Sequence, residues 1–268
     1  MKHFDESLFL GDDWIMYVGV PGDFERSEMI SPCMVLSQPS TEFRLCFDRS
    51  DPLEASCFLH ASGHWSSGIG AGVIFLYFDA LSWEGLAIQK IAMHNSGCLP
   101  WQTKNLCTLE TFDALRHNPN MEELALACIA SYRAELRATL PAQPAVDPRL
   151  RRVAALIADC PDGRLSLSPL SISAGICSDH LRQQFRRVSG MTLSRYQMWQ
   201  RMRSMIRHAC KDYAFATNVK ADAVIHAAGF HDTSHGARVI RRYFGATPSS
   251  TKNMHFVDCC ALITTAQV

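Results

Sequence analysis

Two groups of polar side chains are spaced to line one side of a short helix each. The first is Ser178, Asp179, Arg182, Gln183 and Arg186; the second is Thr233, Ser234, Arg238, Arg241 and Arg242. Arginine forks onto guanine, glutamine onto adenine, and hydroxyls reach either base edge. Additional arginines neutralise phosphates. The chemistry on offer is recognition of a nucleic-acid duplex, not bond making. Asp232, at the head of the second group, suits a helix cap as well as a base contact. Arg238 suits a carboxylate partner as well as a base.

The elements that must hold these groups are legible around them. In Ala221–Ser249, apolar positions run Val224, Ile225, Ala228, break at Gly229-Phe230, resume through Val239, Ile240, Tyr243 and Phe244, and stop at Gly245 and Pro248. That is helix, tight turn, helix, stop, with glycine supplying the positive φ of the turn. The same grammar fills Leu165–Arg187. Ser168-Pro169 reads as a cap and a first-turn proline, Leu170 and Ala174 as the inner face, and Gly175-Ile176-Cys177 as the turn. Leu181, Phe185 and Val188 then face inward. The two turn glycines lie 54 positions apart. Between them Ser194–Cys210 carries Tyr196, Trp199, Met202, Met205 and Ala209 at helical spacing. Such a strut spans roughly 25 Å and would set two reading helices on major-groove faces about 34 Å apart.

The runs AGI…HL…FRR..GM…RY….RM and AAGF.D.SH..R..RRYFGATPS resemble, in order and spacing, the AraC/XylS family of transcriptional regulators. The resemblance covers Asp147 to Ser250. It implies DNA binding through both units, with activation or repression of transcription and RNA polymerase as a further partner. Three positions depart from the family pattern. Gln183 stands where relatives carry arginine, so base preference there should differ. Gly236 replaces a large apolar residue, often Phe, and Ile225 replaces Ala. The bulkier Ile225 is expected to fill the gap over Gly236. His231 and His235 share a helix, but the Ser-His pair is common in the family, so no zinc site is expected.

Charge supports the same division. Residues 147–250 hold 16 Lys and Arg against 7 Asp and no Glu, a net +9, whereas residues 1–146 carry a net −9. A basic half suits a polyanion and makes its binding salt-dependent. The eleven cysteines are scattered, odd in number and without a Cys-x-x-Cys pair, which points to small apolar fillers in a reducing compartment. No signal peptide, and no apolar run of the ~18 residues a membrane span needs, is read from the chain. A cytoplasmic location and no membrane partner are expected.

The first half reads as short strands: Trp14–Val20, Cys33–Ser37, Phe43–Phe47, Ala55–His60 and the continuous apolar run Val73–Phe78. The order SCFLHASGHW…IFLYFD resembles the cupin-like sensor half of AraC-type regulators, which implies a small-molecule or protein effector. Cupin metal centres use a His-x-His pair. His60 and His64 are four apart, so no metal and no cofactor are expected. His64, Trp65, Arg44 and Tyr77, with Phe43, are the candidate effector lining, and core packing is the competing reading for each. Met121–Leu140 is a long helix. Leu124, Cys128, Tyr132, Leu136 and Leu140 form its stripe with Met121, Ala125 and Ile129 beside it, Asn120 can cap it, and it serves its own core, a homodimer or both. The fold class is thus two domains: a mostly β half ending in helices (residues 1–140), a proline linker (141–146), an all-α double helix-turn-helix (147–250) and a C-terminal tail (251–268). A regulator is not an enzyme. The rivals are a DNA-tethered enzyme and a redox sensor using an N-terminal thiol. The Pro-Cys-His-Arg motif of alkylation-repair proteins is missing, since Pro32-Cys33 is followed by Met34-Val35.

Overall fold

The computed structural model describes residues 6–19, 24–38, 43–47, 52–69, 72–104, 108–143, 145–161, 165–212, 218–244 and 254–260. The expected linker residue Pro144, the stop at Gly245 and Pro248, the end of the tail (261–268) and the Phe43 side chain lie outside them.

In chain order the strands are β1 (Glu6–Leu10), β2 (Trp14–Gly19), β3 (Phe24–Glu28), β4 (Cys33–Ser37), β5 (Phe43–Phe47), β6 (Leu53–Ala55), β7 (Cys57–His60), β8 (Trp65–Ile69), β9 (Val73–Phe78), β10 (Cys98–Pro100) and β11 (Met254–Asp258). The helices are α1 (Trp83–Met93), α2 (Leu109–His117), α3 (Met121–Thr139), α4 (Pro148–Asp159), α5 (Leu167–Ala174), α6 (Ser178–Ser189), α7 (Leu193–Asp212), α8 (Asn218–Ala227) and α9 (Thr233–Phe244). Among the described residues the strands form a seven-stranded sheet ordered β10-β7-β4-β9-β2-β1-β11 and a four-stranded sheet ordered β3-β8-β5-β6.

The large sheet divides the interior, because side chains on a strand alternate between faces. Leu8, Ile15, Val35, Phe75 and Tyr77 point into one apolar layer, which they share with Trp199, Met202, Ile240 and Tyr243 of the C-terminal helices. Phe9, Trp14, Met34, Ile74, Leu76 and Phe78 point into the other, which α2 and α3 cover with Phe112, Ala125, Ile129 and Leu136. Burial on both faces is why Val73–Phe78 is continuously apolar.

Several expectations are refined. The first half contains α1 and α2 where only strand character was read. Helix α1 is capped by Ser82, whose Oγ accepts from Gly85 N at 3.0 Å. It is buried at Glu84, Leu86, Ala87, Ile88 and Gln89, which lie all round the helix, so it has no one-sided period to detect. Helix α5 begins at Leu167 with Ser166 as cap, two positions before the expected start. Pro169 then stands third in the helix, where its missing N–H is still one of the unbonded first four. Asn120 precedes α3 without a side-chain capping bond. In α3 the most buried positions are Met121, Ala125, Ile129, Tyr132 and Leu136, while Leu124 and Cys128 are half-buried. That stripe is covered by the chain's own sheet.

The expected tail is partly a strand. Met254–Asp258 returns from the helical half and lies parallel to β1, Glu6 opposite Met254 through Leu10 opposite Asp258. Cys259 N then donates to Leu10 O at 2.8 Å.

Candidate nucleic-acid interface

The first unit is α5, its turn and α6. Gly175 ends α5 at φ 64°, and its N–H reaches back to Ile172 O while Ile176 N donates to Ser171 O. This left-handed ending closes the last turn of a helix, and glycine takes it without a Cβ clash. Leu170, Ala174, Leu181 and Phe185 are buried, with the Phe185 ring edge-on to Tyr196 at 5.2 Å. That fixes the rotation of α6, and Asp179, Arg182, Gln183 and Arg186 face solvent. Arg182 Nη1 rests on Asp179 Oδ1 at 2.8 Å, an exposed pair that gives way to a better anion at small cost. Ser178 turns the other way, its Oγ donating to Ser171 Oγ at 3.3 Å across the turn. Arg182 and Arg186 also line a recess of about 390 Å³ with Thr192 and Ser194 at the start of α7.

The second unit is α8, its turn and α9. Gly229 has φ 76°, its N–H donates to His226 O, and Phe230 N donates to Ile225 O. Asp232 is the cap: its Oδ1 accepts from His235 N at 2.6 Å. Val224, Ile225, Ala228, Phe230, Val239, Ile240 and Tyr243 are buried. Ser234, Arg238 and Arg241 are exposed and Thr233 is half-buried. The gap left by glycine in α9 is filled. A Cβ built on Gly236 would overlap Ile225 Cγ2 and stand 3.3 Å from its Cγ1. Ile225 thus occupies the space a larger residue at 236 would need.

Helix α7 separates the two units and is buried beyond the single stripe expected. Besides Tyr196, Trp199, Met202, Met205 and Ala209, the polar Gln200, Arg201, Arg203 and Ser204 are buried, because the other side of α7 lies on the large sheet. Gln200 and Arg203 find partners in the N-terminal half. The Asp79 carboxylate accepts from Tyr196 Oη at 3.0 Å, Trp199 Nε1 at 3.1 Å, Gln200 Nε2 at 3.0 Å and Leu81 N at 2.9 Å. Burial still pushes its pKa up, against the pull of Leu81 N, Arg203 and the ring donors. Arg203 donates to Gly11 O at 2.6 Å and to Asp12 O. Sequence reading did not single out Asp79, Glu28 or Arg203. Their partners are more than a hundred residues away along the chain, so spacing carries no trace of them.

Arg242 is placed differently from its expected role. Its Nε donates to Glu28 Oε2 at 2.7 Å, and its guanidinium lies 5.4 Å from the Trp65 ring centre. It therefore contacts the N-terminal half, where a duplex phosphate was expected. Tyr77 is 3% exposed and packs between Phe75, Trp199 and Phe244, a core residue. Arg44 is exposed and paired with Glu54 across β5 and β6. Trp65 lies under Arg242, and His64 Nε2 sits 3.2 Å from Met93 Sδ. Tyr77 belongs to the large sheet, and the other three effector candidates lie on or beside the small one. His60 is fully buried, its Nδ1 2.8 Å from Ala61 O, and burial lowers its pKa to about 4. No group of three or more His, Cys, Asp or Glu among the described residues could hold a metal. The thiols of Cys33, Cys57 and Cys98 are buried and pushed well above the usual range by desolvation. That is the opposite of what a reactive sensor thiol requires.

Among the described residues no helix is long and apolar enough to cross a membrane. A helix-turn-helix domain model matches residues 170–254. No curated protein matches. The chain is similar in fold to ToxT of Vibrio cholerae, with 10% identity over 90% of this chain and 98% of that one and a TM-score of 0.54. ToxT bound to an unsaturated fatty acid gives 10% identity, 91% and 96% coverage and a TM-score of 0.54. ToxT bound to (E)-4-(8-methylnaphthalen-1-yl)but-3-enoic acid gives 10%, 90%, 98% and 0.51. Identity at this level speaks for shared fold. With that domain and that fold, the chain is a two-part protein, a helix-turn-helix half carried on a mostly β half, in the fold of ToxT.

Proposed function

We propose that this protein is a sequence-specific transcription regulator that reads double-stranded DNA with α6 and α9. The observation that carries the reading is the paired arrangement of the two helices. Each is rotated by its own buried stripe so that arginines face out, and the 20-residue α7, roughly 30 Å long, lies between them in the chain. Arg182, Gln183 and Arg238 are assigned to base edges, with Asp179, Thr233 and Ser234 at the ends of the reading faces. Arg186 and Arg241 are assigned to phosphates, and the recess between α5, α6 and α7 would take a backbone phosphate. Arg242 joins them only when it leaves Glu28.

The effector is proposed to be a small carboxylate with an apolar body. ToxT structures carry such ligands. In this chain a cleft of about 500 Å³ opens between α1, α6 and the segment before α4. Leu86, Met93 and Val188 supply apolar wall, Lys90 and Arg187 supply cations, and His94 lies beside them; no acidic side chain is among the described residues lining the cleft. Of the four sequence candidates, His64 borders this cleft, through Met93. A second copy docking on α3 would meet Ala127, Ala130, Ser131 and Ala134, since the apolar stripe is already covered.

The test is selection of bound sites from genomic fragments with the full chain and with Arg182→Ala and Arg238→Ala. Loss of site preference with weak, salt-sensitive binding retained is expected for base readers. Unchanged preference in both variants would remove the assignment.

A further inference from the structure

Beside the apolar packing of Ile240, Tyr243 and Phe244, a carboxylate fastens helix α9 to the N-terminal half. Glu28, on β3, is 2% exposed and receives two arginines of the helical half: Arg195 of α7, and Arg242 of α9 with Nε at 2.7 Å and Nη2 at 2.6 Å. The flat face of the Arg242 guanidinium is also used, lying over Trp65 at 5.4 Å and Tyr243 at 5.6 Å. A guanidinium holds a phosphate or a carboxylate bidentately through the same fork of N–H groups. Arg242 therefore cannot serve Glu28 and a DNA phosphate in this manner at once. Glu28 is nearly buried whereas the Arg242 side chain is 52% exposed, so the carboxylate belongs to the β half and the arginine is the part able to leave.

We propose that Glu28 is an autoinhibitory latch: it withholds Arg242 and tethers the second reading helix, so that the first unit engages DNA fully and the second only after the latch opens. This rests on the DNA-reading function proposed above. Among the described residues the reading arginines of the first unit make no ion pair with the N-terminal half; Arg182 pairs with the exposed Asp179 of its own helix. The cluster still carries two arginines against one glutamate, so an approaching phosphate backbone is attracted to the site where it must compete. The latch needs no effector to close, and any ligand that draws the two halves apart would open it.

The experiment is duplex binding by the full chain across 50–200 mM salt, with hydroxyl-radical footprinting, for the native chain, Glu28→Gln, Arg195→Ala, Arg242→Ala and the double variant Glu28→Gln with Arg242→Ala. Glu28→Gln should bind at least about fivefold more tightly. Its plot of log affinity against log salt should steepen by about 0.9, one more phosphate neutralised. Its footprint should extend over a second major-groove face. Arg195→Ala, which removes no reading residue, leaves Glu28 to Arg242 alone and lifts the repulsion between the two guanidiniums, so it should move the opposite way by a smaller amount. The double variant should fall back to the slope of Arg242→Ala. Equal affinity and slope in the native chain and a folded Glu28→Gln variant would overturn the latch and leave DNA reading intact. So would a gain that survives in the double variant. If Glu28→Gln fails to fold, Arg195→Ala decides alone: weaker binding than the native chain with no steeper salt slope is expected, and unchanged or tighter binding overturns the latch. Failure of every variant and the native chain to bind any duplex at 50 mM salt would sink both proposals.

Discussion

Gly236 and Ile225 show how a local departure is compensated by one neighbour. Helix-interior glycine costs about 1 kcal/mol against alanine, so Gly236→Ala would normally stabilise α9. Here the added methyl meets Ile225 Cγ2, and overpacking of this sort costs about 1–3 kcal/mol. Gly236→Ala is expected to be destabilising, Ile225→Ala to cost about 2–5 kcal/mol, and the double variant to cost less than the sum. Urea unfolding checks this; a stabilising Gly236→Ala would mean the two residues do not share the space. His60 offers a pH signature at the same scale. Its folded pKa near 4 lies below the 6.5 of an unfolded histidine, so between those values the unfolded chain binds the extra proton. Stability should fall as pH drops through that window, by roughly 3 kcal/mol, and His60→Asn should flatten the fall.

At the scale of elements, the two reading helices of the C-terminal half are legible in the sequence, because α6 and α9 each bury one stripe and the turns need glycine. Gly175 and Gly229 sit at φ 64° and 76° as their positions imply. Nothing lies within 4 Å of a Cβ built on Gly175. Gly175→Ala should therefore cost only the left-handed backbone penalty, about 1–2 kcal/mol, measurable by thermal unfolding. What was not readable has a common cause. Helix α1 is buried around its circumference, so it shows no period. Strand β11 has only five residues and no hairpin partner, and its match with β1 is a long-range parallel register invisible to local patterns. The effector candidates have in common residue type and a place near strands, and type does not say which sheet a strand joins. Tyr77 and Arg44 ended in different sheets for that reason.

At the scale of the whole molecule, the two halves share one apolar layer and a set of buried polar bonds, so they are coupled mechanically as well as by chain. Asp79 is the centre of those bonds. Its folded pKa is raised above 3.8, so from that value up to the raised one the folded state keeps a proton the unfolded chain has lost. The sign is opposite to that of His60: stability contributed by Asp79 is full below about 3.8 and declines as pH rises. A series of urea curves from pH 4 to 7 should show a flatter decline on that side for Asp79→Asn. Asp79→Ala should be worse than Asp79→Asn at every pH, since it strands Tyr196, Trp199 and Gln200 without an acceptor.

The parallel pairing of β11 with β1 also has a consequence for biogenesis. Met254 is translated 248 residues after Glu6, and at about 5–20 residues per second the β1 edge waits roughly 10–50 s for its neighbour. Throughout that interval a nascent chain displays an unpaired apolar rim, an invitation to crowding polysomes and to chaperones that shield bare sheet margins.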